Sequence, residues 1–184
     1  MAKNEKSLQI YGKGNWVYFN KPDDGFGSPG EYKVTLEVAK AKAGTLIRDI
    51  EQVISKEGKT HNTNGMVKKK PFKVIGDVVE FKLHSQFKPV LWDKDQNKLD
   101  EKIQVWSGST MWVNCKASGY TKATGTGATL LLNSVQIDKL VEGTGNGSDT
   151  CPFPKRAGSA LPGPDKKEIV KDIKNKIVER PVVL

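Results

Sequence analysis

The sequence predicts a mainly β domain followed by a basic C-terminal extension. From Ser109 to Lys116, apolar and polar residues alternate, which is the period-two pattern of a strand with one face toward a core. A second stretch, from Ala128 to Leu140, is rich in Leu, Val and Ile, and a Gly- and Thr-rich turn separates the two. Two long paired strands require a sheet, and 184 residues suffice for one domain with a sizeable core.

The first strand is predicted at residues 7–19, where glycines interrupt it. Its apolar residues change parity across residues 12–14, and a bulge or kink at the two glycines there would reconcile them. Trp16 and Tyr18 then face outward. The alternative is that both aromatic rings lie in the core, as most aromatic side chains do.

The middle of the chain predicts two further strands and a helix. Residues 31–39 alternate cleanly and predict the second strand. A helix is expected to begin at Thr45, which can cap it, and to run to about Glu57, because the apolar residues between them fall at helical spacing. Gly58 follows where the helix should end. Residues 78–85 predict the third strand, and the long hydrophilic segment after it is predicted as a loop.

This order of elements predicts a five-stranded Greek-key barrel of the OB type, with one or two helices and long loops. The helix of that fold often lies between the third and fourth strands, whereas here it is predicted after the second. The barrel domain is assigned to residues 1–143, and residues 144–164, rich in Gly, Pro and Ser, are predicted as a linker. Residues 165–184 have capping-box spacing and isoleucines every four residues, which predicts a basic amphipathic C-terminal segment.

The charge of the chain indicates a polyanionic partner. Thirty Lys and Arg residues against 21 Asp and Glu residues give a formal net charge of +9. Two cysteines imply no disulfide framework. The sequence has no secretory signal pattern and no apolar run long enough to cross a bilayer, so we expect a cytoplasmic protein that does not enter a membrane.

The motifs of the chain predict no catalytic residue, no cofactor and no metal site. A GxGxxG pattern at residues 25–30 precedes a strand, whereas a dinucleotide-binding loop precedes a helix. Residues 93–97 resemble the start of a calcium loop, but Lys98 and Gln104 stand where that loop requires Gly and Glu. The two histidines and two cysteines lack metal-ligand spacing, and no nucleophile has a candidate base beside it.

Aromatic residues interleaved with lysines form the candidate binding site. Every nucleobase has a π-face that can stack on an aromatic ring, and ammonium groups follow the phosphates without reading sequence. Trp112 and Lys116 are the best-supported pair, because alternation places both on the outward face of one strand; Trp92 and Tyr120 rest on loop position alone. A run of lysines is solvated surface without a binding role as often as it is a segment that follows phosphates. The predicted DNA-binding residues are Trp112, Lys116, Trp16, Tyr18, Trp106, Tyr120, Lys33, Lys82, Lys13, Lys122, Lys69 and Lys70.

Residues 7–143 resemble a known family. The succession SPGEYKVTLEVAK, a helix, FKL, SGSTMWVNCKASGY and GATLLLNSVQIDKLVEG is similar to the OB-fold single-stranded DNA-binding proteins of tailed bacteriophages. The resemblance implies a non-catalytic protein that coats exposed single strands during phage DNA replication, recombination and repair, in the cytoplasm of the infected bacterium. Many replication proteins of this kind end in an acidic tail, whereas this chain ends EIVKDIKNKIVERPVVL.

The sequence leaves alternatives open for the role of the basic tail, residues 151–184, and for the function of the chain. The tail is expected to add contacts to single-stranded or double-stranded DNA, or contacts between neighbouring copies along the strand, instead of recruiting proteins through acidity. One alternative function is a non-enzymatic β-barrel module for phage structure or protein interaction. The other is a metal-dependent nuclease that would use scattered carboxylates, although barrel surface is the stronger interpretation of those residues. DNA is not distinguished from RNA by the sequence.

Overall fold

A computed structural model describes residues 4–25, 30–63, 68–100 and 102–141. Strands dominate this part of the chain, and its helix follows the second strand, as predicted. The elements are β1 (Glu5–Asp23), β2 (Glu31–Ala39), α1 (Lys40–Thr60), β3 (Lys68–Lys69), β4 (Phe72–Ile75), β5 (Val78–Ser85), β6 (Val90–Trp92), β7 (Thr110–Lys122) and β8 (Gly125–Lys139).

Five of the strands close into a barrel. β1 runs antiparallel to both β2 and β7, β2 pairs with β5, and β7 pairs with β8. A parallel contact between β5 and β8, at Leu83 and Leu130, completes the ring. The predicted OB-type barrel is therefore confirmed.

β1 belongs to both halves of the barrel. Its residues from Glu5 to Lys13 pair with β7, and its residues from Lys13 to Asp23 pair with β2. Gly12 lies near this crossing, where a Cβ atom would stand only 2.6 Å from the carbonyl oxygen of Glu37 on β2. Glycine is thus required because the backbones of β1 and β2 approach too closely for a side chain.

The predicted interruption of the first strand lies at a different position. β1 is continuous through its glycines, and its register with β2 shifts after them, between Asn15 and Tyr18 and again between Tyr18 and Asp23. Trp16, within the first of these shifts, has a φ of 51°. The parity change seen in the sequence therefore comes from an irregularity at Trp16, whereas the glycines serve close packing.

The inward residues that alternation predicted fill the barrel. Met111, Val113 and Cys115 of β7 are fully buried, as are Val79 and Phe81 of β5. Burial raises the pKa of the Cys115 thiol to about 12, so this sulfur stays protonated and acts as a small apolar group in the core.

The helix is longer than predicted at both ends. It begins at Lys40, directly after β2, and the Lys40 backbone N–H donates to the carbonyl oxygen of Asp77 at 2.9 Å. This bond takes the place of the side-chain cap expected from Thr45. Gly58 does not end the helix; it is buried within the last turn, and the helix continues to Thr60.

Three short strands arise outside the predicted elements. β4 forms a hairpin with β5, while β3 and β6 pair in parallel with β8 on either side of its contact with β5. The hydrophilic segment after β5 thus returns to the sheet and buries Leu91. Strands of two to four residues are too short to display a period in the sequence.

The predicted linker of residues 144–164 and the predicted basic segment of residues 165–184 lie outside the described residues. Within the part of the chain that the structure covers, no helix combines the length and the apolar character needed to cross a membrane.

Candidate nucleic-acid interface

The outer surface of β1, β2 and β5 forms an open groove of about 440 Å³. We call it the cationic groove and define it by Trp16, Tyr18, Lys33, Lys82 and His84. Strand register explains the grouping, because Tyr18 lies opposite Lys33 and Lys33 lies opposite His84 across three adjacent strands. Aromatic and basic side chains therefore meet on one face, as alternation along each strand predicted.

Trp16 is presented to solvent by a strained backbone. Its side chain is 70% exposed, and its φ of 51° lies in the left-handed region that favours glycine. A non-glycine residue in this region costs on the order of 1–3 kcal/mol, and an exposed indole recovers little of this by burial. Folding alone does not account for a Trp at this position.

Lys33 is held in place by two neighbours. Its Nζ lies 5.1 Å from the centroid of the Tyr18 ring and also forms an ion pair with Asp23. The hydrogen bond from Lys33, followed by one from the Gly25 backbone N–H, keeps the pKa of the Asp23 carboxyl below its usual value of 3.8. Asp23 is therefore an anion that any phosphate approaching Lys33 must displace.

The remaining groups of the cationic groove differ in how firmly they are held. His84 Nε2 lies 2.6 Å from Thr129 Oγ1 of β8, and its Nδ1 lies 3.5 Å from a carboxylate oxygen of Glu31. Lys82 is exposed and has no ion-pair partner among the described residues. Of the two lysines in the groove, Lys82 is the one available to a phosphate without competition.

A second groove, of about 520 Å³, lies on the outer surface of β1, β7, β8 and β6. We call it the amide groove and define it by Trp92, Trp112, Gln9, Asn114 and Gln136. Trp112 is 47% exposed and its ring centroid lies 5.0 Å from that of Tyr11, whose hydroxyl donates to Asp138 at 2.8 Å. The outward position predicted for Trp112 is thus correct, but its neighbours are amides instead of lysines.

Other predicted residues gather near the turn between β7 and β8. Lys122 Nζ lies 5.6 Å from the centroid of the Tyr120 ring, and Lys69 Nζ donates to Thr124 Oγ1 at 3.1 Å. Gly127 permits the Tyr120 ring to lie against β8, because a Cβ atom there would be 2.7 Å from the Tyr120 hydroxyl. This turn cluster of Tyr120, Lys122 and Lys69 joins one aromatic ring to two ammonium groups.

Four predicted residues lie in none of these places. Lys116 pairs with Glu5 at 3.1 Å, and Lys70 pairs with Glu51 of α1 at 2.6 Å. Trp106 is 45% exposed in the loop before β7, and Lys13 is exposed on β1 opposite Glu37. Because Lys116 is four residues along β7 from Trp112 and already paired, the two do not form the joint site that alternation suggested.

The structure therefore separates the predicted residues into two grooves and one turn cluster instead of one platform. No pattern in the sequence marked Gln9, Asn114, Gln136 or Tyr11 as site residues. The parity of β1 already placed Gln9 and Tyr11 outward, on either side of the inward Ile10, but uncharged polar residues carry no signal that marks them as functional. Among the described residues, no three or more His, Cys, Asp or Glu side chains are grouped to hold a metal ion.

Comparison with known proteins shows where this fold occurs. No protein-family model matches the sequence, and no curated protein is significantly similar to it. The structure is similar to gp2.5, a single-stranded DNA-binding protein encoded by bacteriophage T7, with 21% identity and a TM-score of 0.65 over 88% of this chain and 100% of that chain. It is also similar to the single-stranded DNA-binding protein of bacteriophage Enc34 in complex with single-stranded DNA, with 16% identity and a TM-score of 0.63 over 79% of this chain and 96% of that chain. The chain therefore shares the fold of phage single-stranded DNA-binding proteins, and the resemblance found in its sequence is confirmed at the level of the fold.

Proposed function

We propose that this chain binds single-stranded DNA along the cationic groove, without catalysis and with little regard for sequence. The observation that carries the proposal is Trp16, an indole that is 70% exposed on a backbone with a φ of 51°. Strain that is not offset by burial is expected where the ring has a ligand to stack on.

The groove supplies both contacts that an unpaired strand needs. Trp16 and Tyr18 offer ring faces on which any base can stack, and Lys33 and Lys82 offer charge for phosphates. Neither contact reads a base edge, so the binding is tolerant of sequence. We assign Tyr120, Lys122 and Lys69 of the turn cluster to the same strand, because the loop between the last two strands of an OB barrel flanks its binding face.

The shared fold supports a proposal for the wider role. An Enc34 protein with this fold is found in complex with single-stranded DNA. We infer that this chain coats exposed strands during phage DNA replication, recombination and repair, in the cytoplasm of the infected bacterium. Self-association along the strand and contacts with phage or host replication proteins belong to the same proposal.

The basic tail, residues 151–184, is proposed to add contacts to DNA, including duplex DNA, or to neighbouring copies on the strand. Deleting it should flatten the salt dependence of binding and weaken cooperativity, because each lost phosphate contact lowers the slope of log affinity against log salt by about 0.7 on single strands. Titrations of the full chain and the deletion variant at several salt concentrations measure both quantities. Unchanged slopes and unchanged cooperativity would reject this part of the proposal.

The experiment that tests single-strand binding is Trp16→Gly. This variant removes the ring and also relaxes the backbone, since glycine accepts a φ of 51° without strain. We expect affinity for an oligo-dT strand to fall by about 5- to 150-fold, as for the loss of one stacked base, while the free energy of unfolding does not decrease.

Trp106→Ala is the control, because Trp106 is also an exposed indole but lines neither groove. Fluorescence anisotropy gives the affinity, and urea denaturation gives the free energy of unfolding. Equal affinities of the wild type and Trp16→Gly would sink the proposal. A wild type that fails to bind any single strand would favour the structural or interaction module instead.

A further inference from the structure

The amide groove has aromatic rings but lacks the cations of the cationic groove. Within the described part of the chain, its lining contains no Lys or Arg; the polar lining residues are Gln9, Gln96, Asn114, Ser134 and Gln136. A groove without cations has no positive charge to neutralise a phosphate. Its chemistry instead suits a ligand that is flat, uncharged and rich in hydrogen-bonding edges.

The two indoles lie on either side of Gln136 in one row of residues. Trp92 of β6 lies opposite Gln136 of β8, which lies opposite Trp112 of β7, so the three residues form one row across adjacent strands. Neighbouring strands are about 4.8 Å apart, which separates the Cα atoms of Trp92 and Trp112 by roughly 10 Å. When a base is stacked between two rings, those two rings lie about 7 Å apart, which is twice the contact distance of about 3.5 Å.

One amide of the groove is held by hydrogen bonds, and two others are available to a ligand. Gln136 Nε2 donates to the carbonyl oxygens of Asp93 at 3.0 Å and Lys94 at 3.3 Å, which holds the amide and leaves its own carbonyl oxygen as an acceptor. The side chains of Gln9 and Asn114 have no hydrogen-bond partner among the described residues. Amides provide both donors and acceptors, as the edges of nucleobases require.

We propose that the amide groove is a nucleobase site, in which an unpaired base inserts between Trp92 and Trp112 while the amides of Gln136 and Asn114 bond to its edge. This deepens the proposed function, on which it rests for the class of ligand, by adding a second site that uses separate residues. Because bases are read there and phosphates are not, the site gives base preference that is independent of salt.

The direct test is a titration of the full chain with neutral nucleosides. The NMR signals of the indole N–H groups are the readout. The wild type has four Trp residues, and the three that remain without Trp16 give three signals. The protein carries Trp16→Gly, Lys33→Gln and Lys82→Gln, so that the cationic groove does not contribute. With thymidine or 2′-deoxyadenosine, the Trp92 and Trp112 signals should shift together, by the same amount at low and high salt, while the Trp106 signal stays in place.

Two results would overturn this proposal. One is the absence of any shift of the Trp92 and Trp112 signals at millimolar nucleoside. The other is a shift produced by a neutral disaccharide but not by nucleosides, which would assign the groove to a sugar. Failure of the proposed function is distinguishable, because it appears as unchanged oligo-dT affinity in Trp16→Gly and does not affect the nucleoside titration.

Variants of the groove provide the second measurement. Trp112→Ala should lower oligonucleotide affinity by about 5- to 150-fold without changing the slope against salt, whereas the matched Trp106→Ala should change neither. Asn114→Leu keeps both rings, so it should alter the ratio of oligo-dA to oligo-dT affinity and leave stacking intact. A ratio that stays the same in Asn114→Leu and an affinity that stays the same in Trp112→Ala would overturn the assignment.

Discussion

The two grooves of this barrel use the same aromatic groups with different polar partners. In the cationic groove, Trp16 and Tyr18 lie beside Lys33 and Lys82, whereas in the amide groove the indoles lie beside Gln and Asn side chains. Stacking is available in both, but only the first can exchange counterions for phosphates. An exposed aromatic residue therefore does not define a binding mode until its polar neighbours are known.

Removing the two lysines of the cationic groove should have the largest effect on binding. In Lys33→Gln with Lys82→Gln, the slope of log affinity against log salt should become shallower by about 1.4, because each phosphate contact on a single strand contributes about 0.7. If the plots of log affinity against log salt for the wild type and the variant meet at 1 M salt, the variant loses about 70-fold in affinity at 50 mM salt and about tenfold at 200 mM salt. A salt series with labelled oligo-dT measures the slope.

The control for this pair is Lys42→Gln with Lys56→Gln, which removes the same charge from exposed positions of α1. A slope reduced equally by both pairs would mean that net charge, and not the groove, governs binding.

A glycine of β1, near the point where that strand changes its pairing partner, should give the next largest effect. Gly12→Ala places a methyl group 2.6 Å from the Glu37 carbonyl oxygen, so β1 or β2 must move, and we expect the free energy of unfolding to fall by about 1–3 kcal/mol. Gly44→Ala is the control, because nothing lies within 4 Å of its added methyl group and alanine favours the helix by about 0.5–1 kcal/mol. Urea denaturation should show that the free energy of unfolding falls in Gly12→Ala and rises in Gly44→Ala. Equal stability of the two variants would contradict the role given to Gly12.

The smallest predicted effect concerns the anion beside Lys33. Asp23→Asn removes the ion pair that a phosphate must displace from Lys33, so the affinity should rise by up to about fivefold while the salt slope, which counts phosphate contacts, stays the same. Asp49→Asn, which frees Lys6 from its 2.8 Å ion pair, is the matched control and should change neither. Weaker binding by Asp23→Asn than by Asp49→Asn would show that Asp23 positions Lys33 instead of competing for it.

The pH dependence of the Asp23 pair has a definite sign. Because the folded pKa of Asp23 lies below 3.8, the pair contributes its stability above that value and loses it as the pH falls through the folded pKa. The competition for Lys33 therefore persists across neutral pH, and the affinity gain in Asp23→Asn should be constant between pH 6 and pH 8.

Long periodic segments made the barrel predictable from the sequence. β5 was predicted with its observed bounds, and the inward positions of Met111, Val113 and Cys115 followed from alternation alone. The end of α1 was misjudged because Gly58 is tolerated inside the helix where it is buried, and its start because a backbone bond to Asp77 replaces the expected cap. Such tertiary contacts leave no local pattern.

The site was predictable only as a set of exposed residues. Outward positions for Trp16 and Trp112 could be deduced from parity, yet the assignment of the two rings to different grooves depends on the pairing of β1 with two strands. The partners of Lys116 and Lys70 are distant in sequence, so their ion pairs with Glu5 and Glu51 could not be anticipated.

The continuity of β1 bears on how this domain opens. Because one nineteen-residue strand is hydrogen-bonded to β7 in its first half and to β2 in its second, neither half can separate without disrupting the other. Local opening is therefore expected to involve the whole barrel as a single cooperative unit. Hydrogen exchange at Ile10 and at Phe19 should then report the same opening free energy.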